Sequence, residues 1–457
     1  MKLRKNQILD VEVIDMTAAG DGVAKPDGFA VFIIGAIPGD LLRIAMTKVK
    51  KHYGYARILE ILTPSPDRIP PYPGEHERCG GCRIQHMAYE AQLRWKRTQV
   101  QNNLERIGKI DHITVPPVHG MDNPTHYRNK AQYPLVQLKD GRIAYGFYAP
   151  YSHRVIPNPA CLIQSERTDA LMAVTCRFFN DEQLDVYDER TGKGLLRHVV
   201  IREGRTGGEL MLILVINGND LPHKEILLER VKDIPGLVSV FLNIQKDDTN
   251  VVLGDTFVLI AGKNYIEDVI GDKRFRIGPQ SFYQVNPSQT KVLYDTIRSF
   301  AEPKADEIIC DLYCGIGTIG LYLADSVKEL IGIEVVAEAV AFAKKNAALN
   351  GCHNARFYCD DAANGFARLQ AEGLKPDTII VDPPRKGCSP ALLKDIAVVA
   401  PRKVVYVSCD SATLARDLQL LGQEGYTIKQ IQCVDMFPMT PHVECVALLS
   451  TASDRCQ

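Results

Sequence analysis

Short stretches of alternating apolar and polar residues fill the first sixty positions of the chain. They occur at 9–14, 29–34, 41–46 and 55–61, with glycine and proline between them. Alternation is typical of half-buried strands, and glycine and proline mark the turns that join them. The pattern predicts a small β-barrel, followed by a proline-rich linker at 64–73.

A different periodicity follows the linker, over residues 89–107. Its apolar positions recur at the spacing of one helix face: Leu93, Val100, Leu104 and Ile107. We expect that face to be core, and we expect Arg94, Lys96 and Arg97 to point to solvent. Residues 126–259 are again rich in strand-like patterns and predict a second, antiparallel-rich region.

From about residue 288 onward, strand patterns alternate with helical ones. The predicted strands are 307–311, 330–334, 355–358, 378–382, 403–408 and 427–434. Such alternation is typical of a doubly wound sheet with helices on both faces. The length of 457 residues also favours several domains over one core.

Composition narrows the function classes only in part. The 54 Lys and Arg residues balance 55 Asp and Glu, so a polyanionic partner must be held by local patches. One candidate patch combines basic and aromatic residues in the barrel: Lys48, Lys50, Lys51, His52 and Tyr53. The start shows no apolar signal core and no long apolar run, so we expect a cytoplasmic protein without a membrane partner. In a reducing compartment, the 13 cysteines are more typical of core thiols, metal ligands or a nucleophile than of disulfides.

A glycine loop at 311–320 ends the first predicted strand of the doubly wound region and opens a helix. Gly315, Gly317 and Gly320 allow a ligand to approach the backbone, and Glu334 at the end of the next strand can bind ribose hydroxyls. This pattern fits both a nicotinamide dinucleotide and S-adenosylmethionine. The acidic Asp311 favours S-adenosylmethionine, because a carboxylate suits a cationic sulfonium or amino group better than a pyrophosphate.

Two further strand ends carry carboxylates. Asp360 and Asp361 follow the third strand, where they could reach an adenine amino group or cap the next helix; both interpretations are open. Asp382 follows the fourth strand and begins the rigid segment Asp382-Pro383-Pro384-Arg385. Related loops with an aromatic at the fourth position serve amine methylation, so Arg385 makes that reaction less favoured, and a fixed Asp382 could instead bind the imide edge of uracil.

The segment Ser408-Cys409-Asp410 ends a buried strand and offers a thiol at the edge where ligands bind. Carbon 5 of uracil is a weak nucleophile unless a thiolate first adds at carbon 6. A base such as Glu444 must then remove the carbon 5 proton so that the thiol can leave. Two rival hypotheses are a nicotinamide-dependent oxidoreductase, which leaves Cys409 and Glu444 unexplained, and a non-catalytic RNA-binding factor, which an intact Cys409 disfavours.

Together these segments resemble a known family. The matching segments are Phe282-Tyr283-Gln284-Val285-Asn286, the loop at 311–320, Asp382-Pro383-Pro384-Arg385, Ser408-Cys409-Asp410 and His442-Val443-Glu444. They are similar to bacterial RNA uridine-5-methyltransferases of the TrmA/RlmD type. The barrel resembles a TRAM domain, an RNA-binding module of the OB type, which the transfer-RNA branch is expected to lack.

The resemblance implies a multidomain α/β fold. Its parts would be an OB-like TRAM barrel at 1–63, a central α+β RNA-recognition region at 70–275 and a Rossmann-like methyltransferase domain at 276–457. It implies Cys409 as nucleophile and Glu444 as base in an enzyme that methylates uridine in 23S ribosomal RNA. Apart from the resemblance, we expect a monomer and no DNA partner. Transfer RNA is the alternative substrate.

The resemblance also implies roles in binding. S-adenosylmethionine would be held by six residues: Gln284, Tyr313, Gly315, Glu334, Asp361 and Asp382. Asp382 would also hold the uracil, and Phe282 would line the pocket for the target base, which must leave its stack.

Cysteines in the central region depart from the family pattern. Members with an iron-sulfur cluster carry four cysteines, of which Cys79, Cys82 and Cys161 match three. Pro73 stands where the remaining cysteine, the first of the four, is expected. Three thiolates are one short of the usual set for a [4Fe-4S] cluster. A cluster completed by a neighbour such as His76 and a knuckle that packs without metal are both open interpretations.

Overall fold

The computed structural model describes residues 3–70, 72 and 75–451. Within these ranges, no helix is both long and apolar enough to cross a membrane.

The predicted N-terminal barrel is a six-stranded sheet. Its strands are β1 (Ile8–Glu12), β2 (Asp15–Met16), β3 (Gly22–Ala24), β4 (Ala30–Ile33), β5 (Leu41–Val49) and β6 (Tyr53–Thr63). They are arranged in the order β1-β5-β6-β4-β3-β2, with β4 parallel to β6 and the other pairs antiparallel. Alternate residues such as Val31, Ile33, Leu42 and Ile44 are fully buried and form its core.

The central region begins with helix α1 (Tyr89–Arg106) and contains a seven-stranded sheet. The strands are β7 (Lys130–Gln137), β8 (Ile143–Tyr148), β9 (Val155–Pro157), β10 (Leu196–Gly204), β11 (Glu209–Ile216), β12 (Leu237–Ile244) and β13 (Thr256–Gly262). Helices α2 (Glu166–Asp181) and α3 (Lys224–Val231) contribute to its core. Only β11 and β12 pair in parallel, so the region is antiparallel-rich as predicted.

A hairpin, β14 (Ile266–Ile270) and β15 (Lys273–Ile277), leads into the C-terminal sheet. That sheet contains β16 (Ile308–Leu312), β17 (Glu329–Glu334), β18 (Ala355–Cys359), β19 (Thr378–Val381), β20 (Lys403–Ser408), β21 (Tyr426–Val434) and β22 (Glu444–Thr451). The order is β18-β17-β16-β19-β20-β22-β21, and the first five strands are parallel. The sequence analysis predicted six of these strands and missed β22, which lies antiparallel between β20 and β21.

Helices cover both faces of this sheet, which confirms the doubly wound architecture. Helices α4 (Pro287–Ala301), α5 (Thr318–Leu323) and α6 (Ala337–Leu349) pack on one face. Helices α7 (Ala362–Ala371), α8 (Pro390–Val399) and α9 (Ser411–Gln423) pack on the other. Strand order reverses between β16 and β19, and ligands of such sheets bind outside the carboxyl ends of the strands at that point.

Helix α1 lies on the C-terminal sheet although it precedes the strands of the central region in sequence. Its buried Val100 and Leu104 share a core with Leu414 and Leu418 of α9. The two other members of its predicted apolar face are less buried: Leu93 is intermediate, and Ile107 is 39% exposed. This packing places one face of α1 beside the end of β20.

Candidate active site

The loop after β16 has an unusual backbone that leaves space for a ligand. Tyr313, Gly315 and Gly317 have φ angles of 62°, 54° and 83°. A β-carbon built on Gly315 would meet no described atom within 4 Å, so the space beside it is open. Glu334 Oε2 accepts a hydrogen bond from the Gly315 amide at 3.1 Å, which fixes this carboxylate beside the loop.

Asp311, the fourth residue of β16, is buried under this loop. Its Oδ2 accepts a hydrogen bond from the Gly320 amide at 2.9 Å, whereas its buried Oδ1 has no hydrogen-bond partner among the described residues. Burial raises the pKa of this carboxyl to about 8, and Asp382 and Glu334 add to the increase. A buried polar atom without a partner is costly, and a cationic group would satisfy it. The orphan oxygen and the open space fit S-adenosylmethionine.

Of the two aspartates after β18, Asp361 begins the next helix. Asp361 is the N-cap of α7, and its Oδ1 accepts hydrogen bonds from the amides of Ala363 and Asn364, both at 3.0 Å. The structure therefore shows the capping interpretation for Asp361, whose carboxylate lies exposed at the edge of the sheet.

The segment between β15 and α4 carries Phe282 and Gln284. Asn129 holds this segment: its Nδ2 donates to the Gln284 carbonyl at 2.9 Å and its amide donates to the Val285 carbonyl at 3.0 Å. Gln284 is buried, whereas Phe282 is 70% exposed. An exposed ring on a fixed backbone can stack on a base without first displacing other side chains.

Cys409 and Glu444 lie opposite each other at the end of the sheet. Ser408 and Cys445 form the last pair of the antiparallel β20–β22 ladder, and Cys409 and Glu444 directly flank that pair. Glu444 lies close enough to Cys409 to raise the pKa of its thiol. The strand that the sequence analysis missed therefore delivers the predicted base to the predicted nucleophile.

These two residues and Asp382 influence one another electrostatically. Burial raises the pKa of Cys409 to about 11; Glu444 adds to this effect, and Arg385 opposes it. Burial and then Asp382 hold the pKa of Glu444 well above its ordinary value. Burial also raises the pKa of Asp382 to about 6. Since Asp382 also affects Asp311, it connects the glycine loop with the thiol.

Arg385 is the cation of this site, and the sequence analysis assigned it no role. It lies close enough to Cys409 to lower the pKa of the thiol, and its Nη2 lies 3.3 Å from His442 Nε2. Burial lowers the pKa of His442 to about 4, and Arg385 lowers it further, so the imidazole is neutral and can accept from the guanidinium. The position of Arg385 within the Asp-Pro-Pro-Arg segment was the available signal.

Lys96 corrects a prediction. It is fully buried rather than solvent-facing, and its Nζ lies 2.6 Å from Asp435 Oδ1. The same Nζ donates to the Phe437 carbonyl at 3.1 Å, and Tyr89 donates to Asp435 Oδ2 at 2.9 Å. Helix α1 thereby fixes the segment between β21 and β22, which ends at the candidate base Glu444. Arg94 and Arg97 are exposed, as predicted.

A cleft of 110 Å³ opens at Cys409 between three parts of the chain. It is lined by Ala18 of the barrel, Gln99 and Asn103 of α1, and His442, which precedes β22. The thiol itself is partly exposed. The candidate nucleophile is therefore accessible from a cleft that the barrel and α1 help to enclose.

The cysteines of the central region form a buried cluster. Cys79, Cys82 and Cys161 are close enough to influence one another, and burial raises all three pKa values, that of Cys161 to about 11. Within the described ranges, no group of three or more His, Cys, Asp or Glu residues could hold a metal ion. Pro73 lies outside the described residues. Three cysteines, with no fourth ligand among the described residues, do not fit the usual four-cysteine set of such a cluster.

Two family models match separate parts of the chain. Residues 256–452 match the family model described as tRNA (Uracil-5-)-methyltransferase, and residues 2–59 match the TRAM domain. A protein of Halalkalibacterium halodurans named as an RNA methyltransferase is 48% identical over 448 residues, covering 98% of each chain. One from Clostridium tetani, also named as an RNA methyltransferase, is 42% identical over 454 residues, covering 99% of this chain and 98% of that protein.

A solved structure is also similar over nearly the whole chain. It is the Pyrococcus abyssi tRNA (uracil-54, C5)-methyltransferase in complex with S-adenosyl-L-homocysteine, at 27% identity and a TM-score of 0.76. The match covers 96% of this chain and 99% of that one. With the relatives above, it confirms the resemblance and the S-adenosylmethionine-dependent fold. The chain belongs to the tRNA (uracil-5-)-methyltransferase family of RNA methyltransferases and carries an N-terminal TRAM domain.

Proposed function

We propose that the chain transfers a methyl group from S-adenosylmethionine to carbon 5 of uridine in 23S ribosomal RNA. The observation that carries this proposal is the proximity of Cys409 and Glu444, which flank the last pair of the β20–β22 ladder, with Asp382 beside them. Addition at carbon 6 requires a thiol, and proton removal at carbon 5 requires a base near it.

Cys409 acts first. Its thiolate forms a bond to carbon 6, and the electron pair of the carbon 5–carbon 6 double bond moves toward the carbonyl at carbon 4, making carbon 5 nucleophilic. The ordinary state of Cys409 is the neutral thiol, because its pKa is about 11. Arg385 stabilises the thiolate, since its positive charge lowers this pKa.

Glu444 acts after carbon 5 has been methylated. Its carboxylate takes the carbon 5 proton, the double bond re-forms, and the Cys409 thiolate leaves. The raised pKa of Glu444 makes its carboxylate a stronger base than an exposed glutamate. Asp382, held by two prolines, accepts a hydrogen bond from the imide edge of the ring in this proposal.

S-adenosylmethionine supplies the electrophilic methyl group when it is bound. Asp311 would face its cationic part, Glu334 its ribose, and Gly315 would allow its close approach. Gln284, Tyr313 and Asp361 would complete the site. Phe282 would stack against the flipped target base.

The barrel provides a surface for RNA. The rings of Phe32, Tyr53 and Tyr55 form a cluster with centroids 5.7–5.8 Å apart, and Tyr53 and Tyr55 are 38% and 40% exposed. The basic residues at 48–52 adjoin this cluster in sequence. Aromatic rings beside basic groups suit single-stranded RNA. The barrel alone does not separate the two substrates, because the match with the P. abyssi tRNA (uracil-54, C5)-methyltransferase covers 96% of this chain and so includes most of residues 2–59. Transfer RNA is the alternative substrate, and the activity named for that protein supports it.

A methylation assay with the purified protein distinguishes ribosomal RNA from transfer RNA as the substrate. Transcribed 23S ribosomal RNA fragments and unmodified transfer RNA are each incubated with methyl-tritiated S-adenosylmethionine, and the product nucleoside is identified by mass spectrometry. We expect 5-methyluridine in the ribosomal fragments alone. Label in transfer RNA alone would replace the substrate assignment, and the absence of 5-methyluridine from both would refute the activity.

A further inference from the structure

Tyr151, on the loop between β8 and β9, is an exposed aromatic residue in a fixed position. Tyr151 is 69% exposed to solvent, and its φ angle of 54° lies in the left-handed region. Such a conformation in a non-glycine residue persists only where its surroundings hold it, and it often marks a functional site. The hydroxyl donates to Asp21 Oδ2 of the barrel at 2.5 Å and accepts from Arg83 at 3.3 Å.

Arg83 covers one face of the ring. Its guanidinium carbon lies 4.6 Å from the ring centroid, and the same group pairs with Asp21. The arginine is itself largely buried, so this arrangement exists before any ligand binds. A ring backed by a guanidinium and open on its other side is well prepared to stack on a nucleobase.

A groove of 560 Å³ adjoins the ring. Tyr148 and His153 line it, with their ring centroids 5.6 Å apart, and the turn between Cys79 and Cys82 contributes Gly80 and Gly81. The Gly80 amide donates to the Tyr148 carbonyl at 2.8 Å, which joins the cysteine turn to the end of β8. A β-carbon on Gly80 would clash with that carbonyl.

The barrel loop at 17–21 links this groove to the nucleophile. Asp21 holds Tyr151, and Ala18 lines the cleft that contains Cys409. Three residues of chain span at most about 11 Å. A short RNA segment with its uridine at Cys409 could therefore reach the groove.

We infer that Tyr151, backed by Arg83, is a stacking site for one base of the single-stranded RNA next to the target uridine. The inference rests on the proposed function, since it takes the target to be held at Cys409. It also gives the cysteine turn a role without metal: the buried thiols support the wall that Gly80 and Gly81 present to the groove.

Two substitutions separate stacking from a merely structural role. Tyr151→Ala removes the ring, whereas Tyr151→Phe keeps the ring and removes the hydroxyl bond to Asp21. His223→Ala is the control, because His223 is an exposed residue of the central region that does not line the groove. Binding of a 23S ribosomal RNA fragment is measured by filter retention, and RNA KM and kcat are measured by methyl transfer.

We expect Tyr151→Ala to raise both Kd and KM for RNA about tenfold with little change in kcat, and Tyr151→Phe and His223→Ala to behave like the wild type. Equal RNA affinity of wild type and Tyr151→Ala would overturn the stacking site and leave the proposed function intact. Equal losses in Tyr151→Phe and Tyr151→Ala would also overturn it, in favour of a link to Asp21. If Tyr151→Ala binds RNA more weakly than the wild type but the wild type methylates no RNA, the proposed function alone is refuted. If the wild type binds no RNA, both the stacking site and the proposed function are refuted.

Discussion

Cys409 and Glu444 face each other because β22 inserts between β20 and β21. The register is fixed by Ser408 and Cys445 on one side of the strand and by Val434 and Glu444 on the other. A slip by one residue would turn the carboxylate to the other face of the sheet. The geometry of the proposed reaction thus depends on the packing of β22.

Replacing the base tests the second half of the reaction. We expect the Glu444→Gln variant to form the covalent bond to the RNA and to methylate carbon 5 of the uridine. It should release the product at least about 100-fold more slowly than the wild type, because the amide cannot take the proton. A covalent protein–RNA complex, stable on a denaturing gel and carrying tritium, should accumulate. Glu424→Gln, at an exposed glutamate after α9, is the control and should turn over normally. Normal turnover by Glu444→Gln would require a different base.

The reactivity of Cys409 should depend on pH and on Arg385. Because its pKa is about 11, the thiolate fraction, and with it the rate of iodoacetamide alkylation, should rise about tenfold per pH unit from about pH 7 to pH 10. Arg385→Gln should raise the pKa of Cys409 further and slow alkylation at fixed pH, while Arg385→Lys should retain part of the effect. The modified Cys409 peptide is quantified by mass spectrometry. Faster alkylation in Arg385→Gln would show that the guanidinium shields the sulfur.

Binding of S-adenosylmethionine should tighten as pH rises through the pKa of Asp311. Burial raises this pKa to about 8, so the carboxyl of the free protein is mostly protonated below that pH and attracts a cation only after ionising. Asp311→Asn can keep the bond from Gly320 but loses the charge, so its affinity should be lower and should show a weaker pH dependence. Calorimetry between about pH 7 and pH 9 measures both.

Any titration of S-adenosylmethionine itself affects its binding to the wild type and to Asp311→Asn equally. Asp306→Asn, at an exposed aspartate, should follow the wild type. Parallel pH profiles for wild type and Asp311→Asn would contradict a direct role of this carboxylate.

The buried pair of Lys96 and Asp435 should be sensitive to loss of one partner. Lys96→Met leaves Asp435 charged and buried, which costs about 3–5 kcal/mol of stability in comparable sites. Lys96→Met combined with Asp435→Asn should recover much of that loss. Denaturant midpoints measure the effect, and Arg94→Met, at an exposed ion pair, should change them little. Equal midpoints for Lys96→Met and Arg94→Met would show that the pair does not anchor the segment before Glu444.

Local sequence patterns predicted the fold well where the buried residues recur at the period of a strand or a helix. The β-branched runs that became β16, β19 and β20 were visible, as was the glycine loop. The burial of Lys96 was not, because its partner Asp435 is 339 positions away and only the folded chain brings them together. Strand β22 was missed for a similar reason: its pairing partners flank it in space rather than in sequence.

For the candidate site, the residue types were predictable and their relations were not. Cys409 and Glu444 follow from the chemistry of uracil, but their opposition depends on one ladder register. The contact of Arg385 with His442 arises from two loops that meet only at the sheet edge. A familiar helix-start pattern indicated that Asp361 could cap α7, but the sequence favoured this interpretation no more than a contact with the cofactor.

The most direct test of the covalent mechanism uses RNA in which 5-fluorouridine replaces uridine. Fluorine at carbon 5 cannot leave as a proton does, so the reaction should stop after methyl transfer with the ring still attached to sulfur. We expect a stoichiometric protein–RNA complex that forms only with S-adenosylmethionine, and peptide mass spectrometry should locate the methylated nucleotide on Cys409. Efficient methylation of normal RNA with no such complex, or an adduct on another residue, would contradict Cys409 as the nucleophile.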